Sequence, residues 1–304
     1  MISTPTLQTH IDRWRAFTHR RLSRVFEAAR RLTVDNRSRI VFFSDCHRGD
    51  GGPTDDLWPN RDLYLHVLTH YFRQGYTYIE VGDGDERWKN RRLAPIQRAH
   101  QPIYDLLHEF HKQGRLHLIM GNHDYATPRL RVVSKAGMPA CKGLVLTHNA
   151  SGQELLVTHG HQADFENDPG LTFSRLGVRY FWRSLQRWGI WCNPNWTEMA
   201  HGRSLPGRAI ARGMLSRNKR VEARLKHWLR PEGPALLCGH THVARFAAPG
   251  EPAYFNTGCC IFPGQITGLE LNEGQLTPVR WTENGSISRE QMATSRPLAN
   301  LNGS

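Results

Sequence analysis

Five short motifs place carboxylate, amide and imidazole side chains directly after runs of apolar residues. They are Ser44-Asp45-Cys46-His47, Gly82-Asp83, Gly121-Asn122-His123-Asp124, Thr158-His159-Gly160-His161 and Gly239-His240-Thr241-His242. The runs before them, such as residues 40–43 and 235–238, have the apolar and β-branched composition of buried strands. Open α/β sheets bind their ligands at the carboxyl ends of such strands. The motifs therefore predict a metal site at one edge of a sheet.

The spacing of the motifs fits a repeated strand–helix unit. Asp83 follows Asp45 by 38 residues, Asn122 comes 39 residues later, and His159 another 37. A step of this size suits a strand, a loop, a helix and the return to the next strand. The step from His159 to His240 is 81 residues, about twice as long. We therefore expect an insertion between two strands that carry ligands.

We predict seven metal ligands, all from these motifs: Asp45, His47, Asp83, Asn122, His159, His240 and His242. Oxygen and nitrogen ligands without a thiolate suit Mn, Fe, Zn or Ni rather than a structural cysteine–zinc site. In an extended chain, Asp45 and His47 point the same way and Cys46 points the opposite way, toward the core. His240 and His242 repeat this arrangement, and Asp83 could bridge two ions with its two oxygens.

The predicted donor set also indicates a reaction. Two divalent ions with only Asp45 and Asp83 as anionic ligands keep a positive charge, even with a hydroxide bound between them. Such a pair can generate that nucleophile and hold the attacking and departing oxygens of a phosphoryl transfer, so no Ser, Cys or Thr nucleophile is needed. His123 is the candidate catalytic residue, able to protonate the leaving oxygen, and Asp124 is expected to orient its ring. His161 is a candidate substrate-binding residue, and acids such as Glu86 are expected to order the loops.

Taken together, the motifs resemble those of the calcineurin-like metallophosphoesterase superfamily, over residues 44–242. The resemblance implies an α/β fold, a four-layer αββα sandwich of two mixed β-sheets flanked by helices. It assigns the ligands by position: Asp45, His47 and His242 to one ion, Asn122, His159 and His240 to the other, and Asp83 to both. The string Asn256-Thr257-Gly258 is similar to the signature that follows the last histidine pair in this family. We expect two divalent cofactor ions, manganese first, with iron, zinc or nickel as alternatives.

Composition places the chain among globular proteins. Of 304 residues, 39% are hydrophobic and 22% charged, which is enough to form a core. No stretch approaches the roughly 18 uninterrupted apolar residues of a membrane span. The first residues lack a secretory pattern, and the six cysteines have no disulfide-framework spacing. We therefore expect a cytoplasmic protein, with peripheral contact at the inner membrane face as an extension of that prediction.

The basic charge is concentrated in the insertion. The whole chain carries +13 with a pI near 9.9, and residues 171–230 hold 13 Arg and Lys against Glu198 and Glu222, a local charge of +11. Four arginines in this segment recur every fourth residue and share one helical face. These candidate substrate-binding residues are Arg175, Arg179, Arg183 and Arg187. The expected partner is an anionic phosphorylated substrate, with a lipid-linked substrate, a membrane surface and, less favoured, nucleic acid as alternatives.

The predicted organisation has three parts. Residues 1–38 form an N-terminal helical extension, in which residues 8–33 have the pattern of a basic amphipathic helix. Residues 39–284 form the metallophosphoesterase domain, with the basic helical cap inserted at about 165–230. Residues 285–304 are polar and are expected to be a flexible tail.

Three functions remain open at this stage. The first is a dinuclear metal-dependent phosphohydrolase. Its insertion is similar to the helical cap of UDP-2,3-diacylglucosamine hydrolases, which split a pyrophosphate in lipid A synthesis, although His123 stands where that branch has Arg. The second is a phosphodiesterase or nuclease acting on nucleic acid or cyclic nucleotides, with the cap as the basic groove. The third is a catalytically silent scaffold on the same fold, against which the intact set of seven ligands argues.

Overall fold

The computed structural model of the protein describes residues 4–125, 134–164 and 205–303. Residues 4–11 and 205–211, which begin two long helices, are described by their backbone alone. The first part of the predicted cap lies outside the described residues, and with it Arg175, Arg179, Arg183 and Arg187. No helix in the described ranges is long and apolar enough to cross a membrane.

The first half of the chain alternates strands and helices. Its elements are α1 (Thr4–Ala28), β1 (Arg30–Val34), β2 (Ile40–Phe43), α2 (Arg61–Arg73), β3 (Thr77–Val81), α3 (Leu93–Ala99), α4 (Gln101–Lys112), β4 (Leu116–Ile119), β5 (Ser134–Lys135), β6 (Met138–Cys141), β7 (Gly143–His148) and β8 (Glu154–Thr158). The second half consists mainly of strands: α5 (Leu205–Trp228), β9 (Ala235–Cys238), β10 (Arg245–Phe246), β11 (Tyr254–Asn256), β12 (Gln265–Asn272), β13 (Gln275–Asn284), β14 (Ser286–Gln291) and β15 (Arg296–Pro297).

These strands form two mixed sheets. The first has the order β1-β7-β8-β9-β11-β10, and the second β14-β13-β12-β2-β3-β4-β6-β5, with β15 added on β13. In the first sheet β8, β9 and β11 are parallel neighbours, and in the second β2, β3 and β4 are. Parallel strands covered on both faces are apolar along their whole length. This explains the uninterrupted apolar runs before the motifs.

The sheets and helices stack in four layers, as predicted. Side chains from both sheets meet in a central core that includes Phe42, Ile79, Val157 and Leu237. Helices α2 and α4 cover the outer face of the second sheet with apolar residues at helical spacing, such as Tyr64, Val67, Tyr104 and Leu107. Helices α1 and α5 cover the first sheet through Leu22, Val221, Leu225 and Trp228. The fold is therefore an αββα sandwich.

The N-terminal extension differs from its prediction. Helix α1 ends at Ala28, and residues 30–34 form β1, which pairs in parallel with β7. Leu32 and Val34 reach the core between the sheets, which favours a strand over a continued helix. Helix α1 packs on α5, with Phe26 and Trp228 ring centroids 6.0 Å apart. The described part of the predicted extension, residues 4–38, thus supplies an edge strand and part of an outer layer rather than a separate unit.

The predicted flexible tail is wrong for most of its length. Strand β14 pairs with β13 across a turn at Gly285, and β15 pairs with β13 as well. Leu298 and Leu301 are fully buried in the core between the sheets, and Arg296 donates hydrogen bonds to the carbonyls of Ala247 and Ala248. The composition suggested a loose tail because the few apolar residues there are widely spaced.

One predicted helix is divided in two. The sequence predicts a continuous helix over residues 95–113, whereas α3 ends at Ala99 and α4 begins at Gln101. Pro102, in the first turn of α4, has no N–H for the carbonyl of Arg98, and in a continuous helix its ring would collide with that carbonyl. The break places His100 in the interior, where its Nε2 lies 2.8 Å from Asp55 Oδ2.

Candidate metal centre

The motifs occupy the loops that follow five strands of the two sheets: β2, β3, β4, β8 and β9. Backbone hydrogen bonds join these loops to one another. Asp45 N donates to Gly82 O at 3.0 Å, His47 N to Asp83 O at 2.9 Å, and Gly239 N to His159 O at 3.1 Å. The carboxyl ends of strands from both sheets therefore meet at one edge of the sandwich.

Six of the predicted ligands form two clusters. Asp45, His47 and His242 have potential ligand atoms within 4.8 Å of one another, and so do Asp83, His159 and His240. The clusters adjoin, since His159 Nε2 and His47 Nε2 each lie 3.9 Å from the carboxylate oxygen of an aspartate in the other cluster. The two clusters thus divide six of these residues as the resemblance assigns them, with Asp83, assigned to both ions, in the second cluster and Asn122 in neither.

Asn122 is fully buried beside the second cluster. The peptide N–H of the next residue, His123, donates to Asp83 Oδ1 at 2.7 Å, and the Asn122 carbonyl accepts from Trp88 Nε1 at 2.7 Å. Neither side-chain polar atom of Asn122 makes a hydrogen bond. The side-chain oxygen of Asn122 is therefore a potential metal ligand without a protein partner. It lies next to the Asp83 carboxylate, which is expected to bridge the two ions.

Divalent cations fit this constellation. Asp45 Oδ1, Asn122 Oδ1 and His159 Nε2 are buried and make no hydrogen bond. Buried polar atoms are rarely left unsatisfied, because desolvation without a partner costs about 1–3 kcal/mol each. The ring nitrogens His47 Nε2 and His242 Nε2 also face each other at 3.2 Å. A cation in each cluster would give all of these atoms a partner.

The backbone of the site is unusual. Seven described non-glycine residues have positive φ, and five of them are predicted ligands. The five are Asp45 (53°), His47 (47°), Asp83 (50°), His240 (72°) and His242 (57°). Left-handed conformations are unfavourable for residues with a Cβ and accumulate at functional sites, where surrounding structure enforces them. The loops are thus shaped around these side chains at a cost in local stability.

This geometry corrects one part of the sequence argument. We expected Asp45 and His47 to share a face because they alternate along an extended strand, but β2 ends at Phe43. Two left-handed residues aim both side chains instead, while Cys46 is fully buried in the core under α2, as expected. The two side chains thus point as predicted, but the cause is the positive φ of both residues and not an extended strand.

Three of the histidines are held by a second partner. His47 Nδ1 lies 3.2 Å from Glu86 Oε2, His159 Nδ1 donates to Val81 O at 2.8 Å, and His240 Nε2 lies 2.8 Å from Asp164 Oδ2. Such partners fix the orientation and tautomer of metal-binding imidazoles. Sequence reasoning considered Glu86 only as a loop-ordering acid and missed Asp164. Glu86 lies three residues after Asp83, and Asp164 three residues after His161. This short distance from a motif is the one feature of the sequence that could have indicated them.

The orientation of His123 also depends on Glu86. Its Nδ1 lies 2.9 Å from Glu86 Oε2, and its ring stacks on Trp88 with centroids 4.1 Å apart. The role predicted for Asp124 is wrong. Its carboxylate instead accepts the backbone N–H groups of three residues, Asp83, Asp85 and Gly121, at 2.8–3.0 Å. Asp124 therefore holds the loop that carries Asp83.

His161 lies beside the second cluster without belonging to it. Its ring centroid is 5.6 Å from that of His159 and 6.5 Å from that of His240, and its buried Nδ1 makes no hydrogen bond. Burial lowers the pKa of His161 well below the usual value, and the charges of His159 and Arg21 add to this. A neutral imidazole there can either donate or accept a hydrogen bond, which keeps it a candidate for substrate contact.

A buried charge network supports the loops from below. Arg48 donates to both carboxylate oxygens of Glu80 at 2.7 and 3.0 Å, and to Asp85 Oδ1 at 2.8 Å. Lys135 Nζ lies 2.6 Å from Asp124 Oδ1 and 2.8 Å from Glu80 Oε1. The sequence gives no signal for this network, because its residues lie on β3 and β5 and in the loops after β2, β3 and β4, far apart in the chain.

Electrostatics at the clusters favours cations. Burial alone would raise the pKa of the Asp83 carboxyl, but His159 and His123 hold it below its ordinary value. Burial likewise opposes the charged form of His159, yet Asp83 and Asp45 outweigh burial and raise its pKa to about 9. The carboxylates therefore stay ionised and draw positive charge into the interior.

Two motif glycines allow the loops to approach so closely. A Cβ on Gly121 would collide with the carboxylate and the backbone nitrogen of Asp83, and one on Gly239 would collide with Ser44 and the Asp45 carboxylate. Only glycine leaves room for these aspartates.

Comparison with known proteins adds a family-level match. A family model for calcineurin-like phosphoesterases matches residues 38–244. Similar solved structures include a Vps29 single mutant from Entamoeba histolytica (14% identity, 84% of this chain and 98% of that one, TM-score 0.36). They also include Vps29 from Cryptosporidium parvum (11%, 86% and 98%, 0.38) and the cold-active protein-tyrosine phosphatase of a psychrophilic Shewanella (16%, 86% and 82%, 0.37). No curated protein matches the sequence significantly.

Proposed function

The chain belongs to the calcineurin-like phosphoesterase family, and from that premise we propose that it is a phosphohydrolase working with two divalent ions. The observation that supports this best is the pair of adjoining clusters, Asp45–His47–His242 and Asp83–His159–His240. The left-handed backbones at this site and its buried polar atoms without hydrogen bonds would only destabilise an apolar core. Bound cations would account for both features.

We propose that the seven predicted ligands hold these ions, with Asp83 between them. When bound, two divalent ions activate water and offset the charge of the phosphoryl oxygens. Manganese is our first choice and iron, zinc or nickel the alternatives, because the donors are carboxylate, amide and imidazole groups.

In this proposal His123 acts on the substrate directly. Its Nδ1 is held by Glu86 and its ring is stacked on Trp88, so Nε2 is the atom left to face the substrate. A proton carried at Nε2 can pass to the departing oxygen of the ester. Glu86, which also contacts His47, ties the proton donor to the first cluster.

For the substrate we propose a phosphoester or pyrophosphate with extra negative charge or an apolar tail. The specific case we favour is a nucleotide-linked glycolipid pyrophosphate similar to UDP-2,3-diacylglucosamine. The support is the basic charge of residues 171–230, of which the described part, α5, has the single acid Glu222. Cytoplasmic location and contact with an anionic membrane surface belong to the same proposal.

The test begins with chelator-stripped protein reloaded with Mn²⁺, assayed for metal content and for hydrolysis of p-nitrophenyl phosphate and its bis ester. We expect two ions per chain and turnover that Asp83→Ala abolishes. The matched control is Asp62→Asn, which alters a carboxylate 88% exposed at the start of α2 and should change neither result. Fewer than two ions per chain with every divalent metal tried would refute the proposal.

A panel of substrates separates the remaining functions. Turnover of nucleotide-sugar pyrophosphates that depends on detergent supports the glycolipid substrate. Oligonucleotide cleavage, with binding that weakens steeply with salt, supports the nuclease instead. Two bound ions without turnover of any ester would identify a scaffold on this fold.

A further inference from the structure

The second cluster is connected to helix α5 through a short chain of buried polar contacts. His240 Nε2 lies 2.8 Å from Asp164 Oδ2, and that carboxylate forms an ion pair with Arg217 of α5. Arg217 Nε also donates to Asp164 Oδ1 at 3.3 Å. The next residue on the helix, Asn218, donates to Thr241 O at 2.7 Å. Two consecutive residues of α5 thus support this motif, Arg217 through Asp164 at the ring of His240 and Asn218 at the carbonyl of Thr241.

We propose that Asp164, held by Arg217, is a positioning residue for His240, and that α5 thereby sets the geometry of the second metal cluster. This inference rests on the proposed function, because it assumes that His240 binds an ion. It goes further in assigning part of the metal site to the insertion. The insertion is then a structural component of the centre and not merely a cover over it.

The contacts are suited to this role. Asp164 is 1% exposed and Arg217 9% exposed, so water and salt screen their interaction little. The left-handed backbone of His240 sets the direction of its Cα–Cβ bond, but the orientation of the imidazole ring is set by Asp164, the partner of Nε2. A carboxylate in that position fixes the tautomer and directs Nδ1 toward the cluster.

The first cluster has its own, independent support. Its His47 is held by Glu86, which follows β3 in the other sheet. On α5, by contrast, Arg224 donates to the carbonyl of Ala163, in the turn just before Asp164. Loss of the Arg217–Asp164 contact should therefore weaken the binding of one ion and spare the other.

The experiment measures Mn²⁺ binding by calorimetry, with metal content after dialysis as a second readout. For Asp164→Asn we expect one of the two binding steps to weaken by about 10–100-fold, as is typical when the outer partner of a ligand histidine is lost. Arg217→Gln should weaken the same step, and Arg217→Lys, which keeps the charge, should restore part of it. Lys219→Gln, an equal charge change on the exposed side of α5, is the matched control and should bind as the wild type.

A fourth variant identifies the affected cluster. Glu86→Gln should weaken the other step, and the double variant Asp164→Asn with Glu86→Gln should weaken both, with additive effects for independent sites. Should Arg217→Gln not fold, the nearly isosteric Asp164→Asn still decides the question. Two steps of wild-type affinity in Asp164→Asn would overturn the inference and leave the proposed function standing. A wild-type protein that binds fewer than two ions would instead refute the proposed function.

Discussion

Replacing Lys135 by Met should destabilise the protein far more than an ordinary charge deletion. Its Nζ lies 2.6 Å from Asp124 and 2.8 Å from Glu80, and the side chain is only 4% exposed. Without it, Arg48 remains the cation beside Glu80 and Asp85, and the described hydrogen bonds to the Asp124 carboxylate come from backbone N–H groups. Removing one partner of a buried pair leaves uncompensated charge, at a cost of about 3–5 kcal/mol. We expect a loss of that size in the free energy of unfolding.

The assay is urea unfolding of metal-free protein, because bound ions would add their own stabilisation. Lys112→Met is the matched control. Lys112 Nζ lies 2.6 Å from Glu109 Oε1, the same distance as in the buried pair, but its side chain is 69% exposed. Exposed ion pairs contribute little, so the control should unfold at the wild-type urea concentration. Unchanged m-values would show that the variants differ in stability and not in compactness.

The pH dependence provides an independent check. Burial raises the pKa of Glu80 and of Asp85, but Arg48 and Lys135 outweigh burial, so that both pKa values are lowered, that of Asp85 to about 2. A lowered folded-state pKa stabilises the protein above the unfolded-state pKa, and this contribution is lost as the pH falls through the folded-state value. Lys135→Met reduces that lowering. The stability gap to the wild type should therefore narrow as the pH falls from 7 to below 4, and a small gap at pH 7 or one that widens in acid would refute the argument.

Three further predictions concern the site and the C-terminal strands. Glu86→Gln should lower the turnover of activated phosphoesters by about 10–100-fold, because His123 loses its carboxylate partner, and should raise the Mn²⁺ concentration required, because the predicted ligand His47 loses the same partner. Wild-type kinetics would contradict this. Gly121→Ala should lose bound metal by elemental analysis, since its Cβ would collide with the Asp83 carboxylate, whereas Gly213→Ala on α5, whose Cβ meets nothing within 4 Å, should retain two ions. Leu298→Ala should lower the free energy of unfolding by about 2–5 kcal/mol in urea titrations, as for a buried leucine; a smaller loss would indicate that the end of the chain is loosely held.

The sequence alone predicted buried strands that end in candidate ligands, and its resemblance to a known family implied the layered fold. Apolar runs of strand length mark buried parallel strands, and the carboxyl ends of such strands converge, so polar residues that end them must come together. This local rule located Asp45, Asp83 and His159 in the clusters before any contact was known.

Tertiary structure decided everything that depends on residues far apart in the chain. The Glu86–His47 contact spans 39 residues, Arg217–Asp164 spans 53 and Asp164–His240 spans 76. Periodicity in a sequence reports which face of a single element is buried, and it does not report which loop lies opposite. Whether an acid orients a histidine, holds a backbone loop or pairs with an arginine is therefore settled only when the two sheets and α5 pack together.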